Sequence, residues 1–174
     1  MIPIKKNTRH HSICSATLFI LCSFLTLKVY AQQSVELQVY VIQGLSFGTF
    51  APGPLGGTVT ISPEGIRTVT GTIIPLANSN GSCAIIEIEA PPNRLIHIEF
   101  PKTVEFKGNK KGKNITLSNF VSDKPNNTFI TTADAPPYKN TVRIGATLTV
   151  ENSTENISDN YIGNFHFIVT DIQQ

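Results

Sequence analysis

Val142-Arg143-Ile144-Gly145-Ala146-Thr147-Leu148-Thr149-Val150 decides the fold. Val142, Ile144, Ala146, Leu148 and Val150 fall on one side of a period of two, and Arg143, Gly145, Thr147 and Thr149 on the other. Successive side chains of a strand point to opposite faces, so this run is a strand with one apolar and one polar face. A helix would scatter the same residues around its circumference.

Working outward, the same period recurs. Phe165, Phe167 and Val169 alternate with His166, Ile168 and Thr170, and Ile96, Ile98 and Phe100 alternate with His97 and Glu99. Thr58 to Ile61 and Thr68 to Thr70 flank Pro63-Glu64-Gly65, which reads as a hairpin with its turn. Cys83 to Glu89 and Leu95 to Phe100 are separated by Pro91-Pro92-Asn93, and Val104 to Phe106 and Ile115 to Val121 bracket a Lys-rich turn. Near the start, Val35, Leu37, Val39 and Val41 alternate with Glu36, Gln38 and Tyr40. The pattern predicts about nine or ten strands and no helix after residue 31, and hence an all-β, immunoglobulin-like β-sandwich. No fixed repeat is present.

Residues 1–31 read as a cleavable signal peptide. Lys5, Lys6 and Arg9 form a basic start, Ile13 to Leu27 an apolar run, and Val29-Tyr30-Ala31 a cleavage site that places the cut between Ala31 and Gln32. The apolar run is shorter than the ~20 residues of a spanning helix, so no transmembrane span is expected after processing. The mature chain, residues 32–174, is then one domain, exported to the periplasm, cell surface or medium. Of 14 basic residues Lys5, Lys6, Arg9 and Lys28 depart with the leader and no acid does, leaving a slight acidic excess. A nucleic-acid partner is therefore not expected. Cys14 and Cys22 lie in the leader, so Cys83 has no partner for an intramolecular disulfide. It heads an apolar run and reads as a buried small hydrophobe, with pairing between chains as the alternative.

Four stretches carry a resemblance. They are Leu45-Ser46-Phe47-Gly48-Thr49-Phe50, then Gly57 to Arg67, then Ile144 to Val150, then Tyr161-Ile162-Gly163-Asn164-Phe165-His166-Phe167-Ile168-Val169. In this order they resemble the family known as domain of unknown function 4402, of exported bacterial proteins. The resemblance implies a β-sandwich similar in general look to fimbrial subunits, and it brings no catalytic residues with it. Read physically, Gly48 and Gly163 sit where a strand begins or bends and permit a close approach of backbone. Tyr161 leads into the last strand, where a phenol can cap the core with its hydroxyl in water.

Candidate chemistry is sparse. A Cys–His nucleophile would need Cys83 with His97 or His166, yet both histidines lie opposite the apolar alternation and nothing near Cys83 favours a thiolate. Glu87, Glu89, Glu99 and Glu105 are the carboxylates available for glycoside chemistry, and they read as a solvated sheet face. Lys107-Gly108-Asn109-Lys110-Lys111-Gly112-Lys113 reads as a turn, with anionic polysaccharide or lipid headgroups as the sharper option. The loop Asn152 to Asn160 is rich in oxygen but lacks the Asp-x-Asp spacing of a calcium loop. Neither a cofactor nor a metal is expected, and no enzyme activity.

The function expected is that of a non-enzymatic surface or periplasmic module, a structural or adhesive, fimbria-like subunit. Its partners would be like subunits or another surface protein, joined by β-strand addition. In one form residues 34–42 leave their own chain as a donor strand anchored by Val35, Leu37, Val39 and Val41; in the other they are the first strand of their own sandwich. A glycan- or other ligand-binding module is the alternative, and a secreted hydrolase a third.

Overall fold

The computed structural model describes residues 36–77, 79–106, 115–152 and 160–172. The leader and its cleavage site at Ala31 and Gln32, the anchor Val35 and the Lys-rich turn at 107–113 lie outside the described residues, as does most of the oxygen-rich loop, residues 153–159.

The chain is all-β, with antiparallel pairing throughout and no α-helix among the described residues. The strands are β1 (Gln38–Gln43), β2 (Phe50–Ala51), β3 (Gly57–Ile61), β4 (Arg67–Val69), β5 (Ile74–Pro75) and β6 (Ala84–Glu89). They continue as β7 (Leu95–Glu99), β8 (Thr103–Phe106), β9 (Ile115–Ser122), β10 (Thr128–Ile130), β11 (Lys139–Val150) and β12 (Ile168–Ile172). Twelve strands thus replace the nine or ten expected. The surplus is β2, β5 and β10, each two or three residues long and defined by its partner rather than by its own pattern.

The run that decided the fold is β11, the longest strand and the hub of a seven-stranded sheet ordered β1-β6-β11-β3-β4, with β9 and β8 branching from β11. Lys139–Ile144 pairs with β6 and Ala146–Val150 with β3. Ile144 faces both Ala84 and Ser122, and Leu148 both Val59 and Leu117, so β6 and β3 share one edge in succession and β9 takes the other. That handover curls the sheet into a half-barrel. A smaller sheet, β10-β7-β12, and a two-stranded pair, β2-β5, complete the described strands.

The apolar face of β11 serves two adjoining clusters. Ala146, Leu148 and Val150 meet Val59, Ile115, Leu117 and Phe120. Val142 and Ile144 meet Ile86, Ile88, Ile96 and Ile98. Leu45 and Phe100 touch both. Burying an aliphatic side chain of this size contributes about 1.5–3 kcal/mol, so these clusters are the main source of stability. Where the smaller sheet ends, Phe100, Phe165 and Phe167 form an aromatic group with Phe120 of β9 in the large sheet, with ring centroids 4.9–6.2 Å apart.

Two polar residues are buried with their bonds made. Thr131 Oγ1 donates to Pro91 O at 2.6 Å and accepts from Arg94 N at 2.9 Å. Asn140 Oδ1 accepts from Thr132 N at 3.0 Å, while its Nδ2 donates to Tyr138 O at 3.1 Å. Both fix loops beside β7, which fixes in turn where the smaller sheet lies.

Candidate functional site

The curled sheet does not close on the segments packed against it. Between Gly44–Pro52 and Asn160–Phe167 lies a cleft of about 1170 Å³. Its floor is the apolar face of the large sheet, including Ile86, Leu117 and Leu148. One rim carries Leu45, Phe47 and Phe50, the other Ile162, Phe165 and Phe167. The floor is nearly sealed, but the mouth is not: Val41 is 69% exposed and Ile162 86%. Among the described residues no Asp, Glu, Lys, Arg or His lines it; its polar groups there are hydroxyls, amides, backbone and the Tyr161 phenol. An uncharged apolar cleft of this kind holds its occupant by shape and apolar contact.

Each rim has a local cause. On the first, Ser46 and Ser82 exchange backbone hydrogen bonds at 2.8 and 2.9 Å. Arg67 then ties the rim down, donating to Ser79 O at 2.6 Å and Thr49 O at 3.0 Å, while Thr49 N donates to Ser79 Oγ. On the second, Gly163 lies against the Phe106 ring: a Cβ there would sit 2.3 Å from a ring carbon. This is the close approach expected at Gly163. Phe165 and Phe167 pack on the core clusters while Asn164 and His166 are exposed, as their alternation predicts, with Asn164 also bordering the cleft. Ile162–Phe167 nevertheless pairs with no strand among the described residues; pairing begins only at Ile168.

The first strand sits beside this cleft. β1 is paired with β6 of its own chain. Leu37 packs on the core, but all six positions of β1 are exposed, Val39 and Val41 included. The second layer does not reach over them, so anchors that the sequence places on an inward face have nothing above them.

The other candidates are dispersed. Cys83 is buried at the head of β6, and its carbonyl accepts Gln43 Nε2 at 2.8 Å. His97 Nδ1 lies 2.9 Å from Thr128 Oγ1, half-buried rather than fully exposed, and His166 is exposed. Glu87 and Glu89 share the outer face of β6, where Glu87 pairs with Lys139 at 2.8 Å. That hydrogen bond, against some desolvation, holds the Lys139 ammonium above its ordinary range. Lys139 Nζ also lies 5.1 Å from the centre of the Tyr40 ring. Glu99 and Glu105 are exposed on separate strands. No group of three or more His, Cys, Asp or Glu suited to a metal occurs among the described residues. None of their helices is long and apolar enough to cross a membrane, which leaves strand-built spans unaddressed.

Sequence reasoning missed the cleft itself. Its only signal was the glycine at Gly163 within an aromatic alternation, which marks a close approach but not a missing neighbour.

No curated protein and no solved structure matches the chain. The family model described as a domain of unknown function, DUF4402, matches residues 37–170, nearly all of the described chain, and takes in all four stretches that carried the resemblance. The chain therefore belongs to the DUF4402 family.

Proposed function

We propose that this chain is an exported, non-enzymatic module with an immunoglobulin-like sandwich, a structural or adhesive subunit of a periplasmic or surface assembly. It joins like subunits, or another surface protein, by β-strand addition. One observation carries this reading: among the described residues, an apolar cleft without charged side chains is bordered by Ile162–Phe167, a run with strand-like alternation and no strand beside it. Unpaired backbone beside apolar pockets is what an added strand needs, since its main chain supplies hydrogen bonds and its alternate side chains fill the pockets. Export is supported by the basic, apolar and small-residue order of residues 1–31.

The glycan-binding alternative has less support. Sugar platforms need open aromatic faces, and the exposed Tyr40 ring carries the Lys139 ammonium. A glycan array with signal above background would restore it. Hydrolysis has less still, because the candidate Cys, His and Glu side chains are not gathered into the cleft.

The test is expression with the native leader in a bacterial host, followed by fractionation, N-terminal sequencing and an unboiled denaturing gel. The expected result is a chain beginning at Gln32, outside the cytoplasm, that forms a ladder of assemblies lost on boiling. A cytosolic chain with its leader attached, or a strictly monomeric one at every concentration, overturns the reading.

A further inference from the structure

Resting on that reading, we infer that the cleft is the acceptor site for residues 36–43 of a second copy of this chain. Three observations define the occupant. The first is unpaired backbone: among the described residues no strand flanks Ile162–Phe167. An acyl chain or small apolar molecule would fill the volume and leave those N–H and C=O groups unmet, whereas a strand meets them. The second is length. Six extended residues span about 20 Å, so the open run takes a strand of about six residues. The third is charge: with no ionisable Asp, Glu, Lys, Arg or His in the lining, the buried face of the strand must be apolar.

The chain itself carries such a strand. Gln38–Gln43 is six residues long, has no charge, proline or glycine, and places Val39 and Val41 on one face with Leu37 just before it. It is the first strand of the described residues, so it can leave without drawing another of them with it. Gly44 follows it, with nothing within 4 Å of where a Cβ would stand, and so forms an unobstructed hinge.

The tether explains why β1 does not fill its own cleft. Beyond Gln43 the chain continues as Leu45–Pro52, which is the opposite rim, and this holds β1 against β6. A strand from another molecule has no such tether. Ala84 and Ile86 of β6 line the same cleft, so an incoming strand takes the β6 edge from the strand that has left and gains Ile162–Phe167 as its second neighbour. Each copy then gives one strand and receives one. The contact is head-to-tail, so it repeats from copy to copy until a rotation closes it into a ring.

The experiment uses the full mature chain with Cys83→Ala. Tyr40→Cys, on the outward face of the donor strand, is mixed with Asn164→Cys or His166→Cys, on the outward face of the open run, and the mixtures are oxidised. A covalent dimer in a mixture and in neither variant alone is the expected result. A labelled peptide of residues 36–43 should also bind the Ile162→Lys chain and a Val41→Asp peptide should bind the unaltered chain each about tenfold or more weakly than the unaltered pair, since a charge enters an apolar contact. Ile162 and Val41 are exposed in the single chain, so thermal midpoints should not move. Assemblies without either mixed disulfide overturn this site and donor while leaving strand addition standing. So does a fatty acid that occupies the cleft when the peptide does not. A chain that never assembles overturns both.

Discussion

Replacing Thr131 with valine should destabilise the protein more than replacing it with serine, although valine keeps the shape. Thr131 is fully buried, and its hydroxyl bridges Pro91 O and Arg94 N. Its backbone closes the same turn, with Asn93 N donating to Thr131 O and Thr131 N to Arg94 O, each at 2.9 Å. Asn93 sits there at φ 62°, a left-handed conformation held by its surroundings. Valine leaves a carbonyl and an amide without their partner in a part-buried turn. Each such loss costs about 1–3 kcal/mol, here toward the lower end, and the added methyl returns a fraction of it. The net loss is about 2 kcal/mol. Serine keeps both hydrogen bonds and removes one methyl, a loss of about 1 kcal/mol. The order should be wild type, then Thr131→Ser, then Thr131→Val. Urea unfolding at a common slope resolves a gap of that size, and the valine variant should melt roughly 6 °C below wild type. A valine variant as stable as the serine variant would refute the reasoning, because shape alone would then account for the site.

Three further outcomes follow from single contacts. Gly145→Ala puts a Cβ 2.2 Å from Ile61 O at the handover from β6 to β3, so it should cost about 3 kcal/mol or leave the protein insoluble, read from soluble yield and melting temperature. Glu64 titrates below its ordinary value, chiefly through its hydrogen bond with Ser62, so its contribution is present above that ordinary value and drains away as pH falls through the lower folded one; Ser62→Ala should move its NMR titration upward. Lys139 is raised by Glu87, so its contribution is present below the ordinary lysine value and lost as pH rises through the folded one; Glu87→Gln should bring the Lys139 titration down, with little change in stability at this exposed pair.

The alternation in the sequence reports facing, and facing is what it conveyed correctly. β11, β7 and the hairpin of β3 and β4 lie where their period places them, and Ile96 and Ile98 are buried while Glu99 is exposed. Phe165 and Phe167 turn inward as their spacing says. Period two does not say whether a partner lies alongside. The strand expected from Phe165 begins its pairing only at Ile168, and the inward face expected for Val39 and Val41 meets open space. β10 was illegible for the complementary reason. Thr128–Ile130 follows Pro125–Asn127, which reads as loop, and it is a strand only because Phe129 stands opposite Ile96. The half-barrel was hidden for a similar reason: a change of partner halfway along β11 leaves the alternation itself untouched.

The edges of the two larger sheets bear on what such an opening is for. A free strand edge is a template for association, and solitary proteins blunt it with charge, proline or cover. Three outer strands here are blunted at or beside the strand: β4 carries Arg67, β8 carries Glu105, and β10 follows Lys124 and Pro125. β1 has no charge or proline within it, only Glu36 two residues before it, and Val39, Tyr40, Val41 and Ile42 are all exposed along it. On β12 the one charge, Asp171, is held at 2.6 Å by Arg94, so it does not stand off an approaching strand. The two edges with no free charge or proline within the strand are thus those nearest the cleft, β1 through Val41 and Gln43 in its lining, and β12 through the open run that leads into it. In a protein meant to stay alone, that combination would drive uncontrolled association. In one joined strand to strand, as proposed above, the same edges are where a further strand would be added.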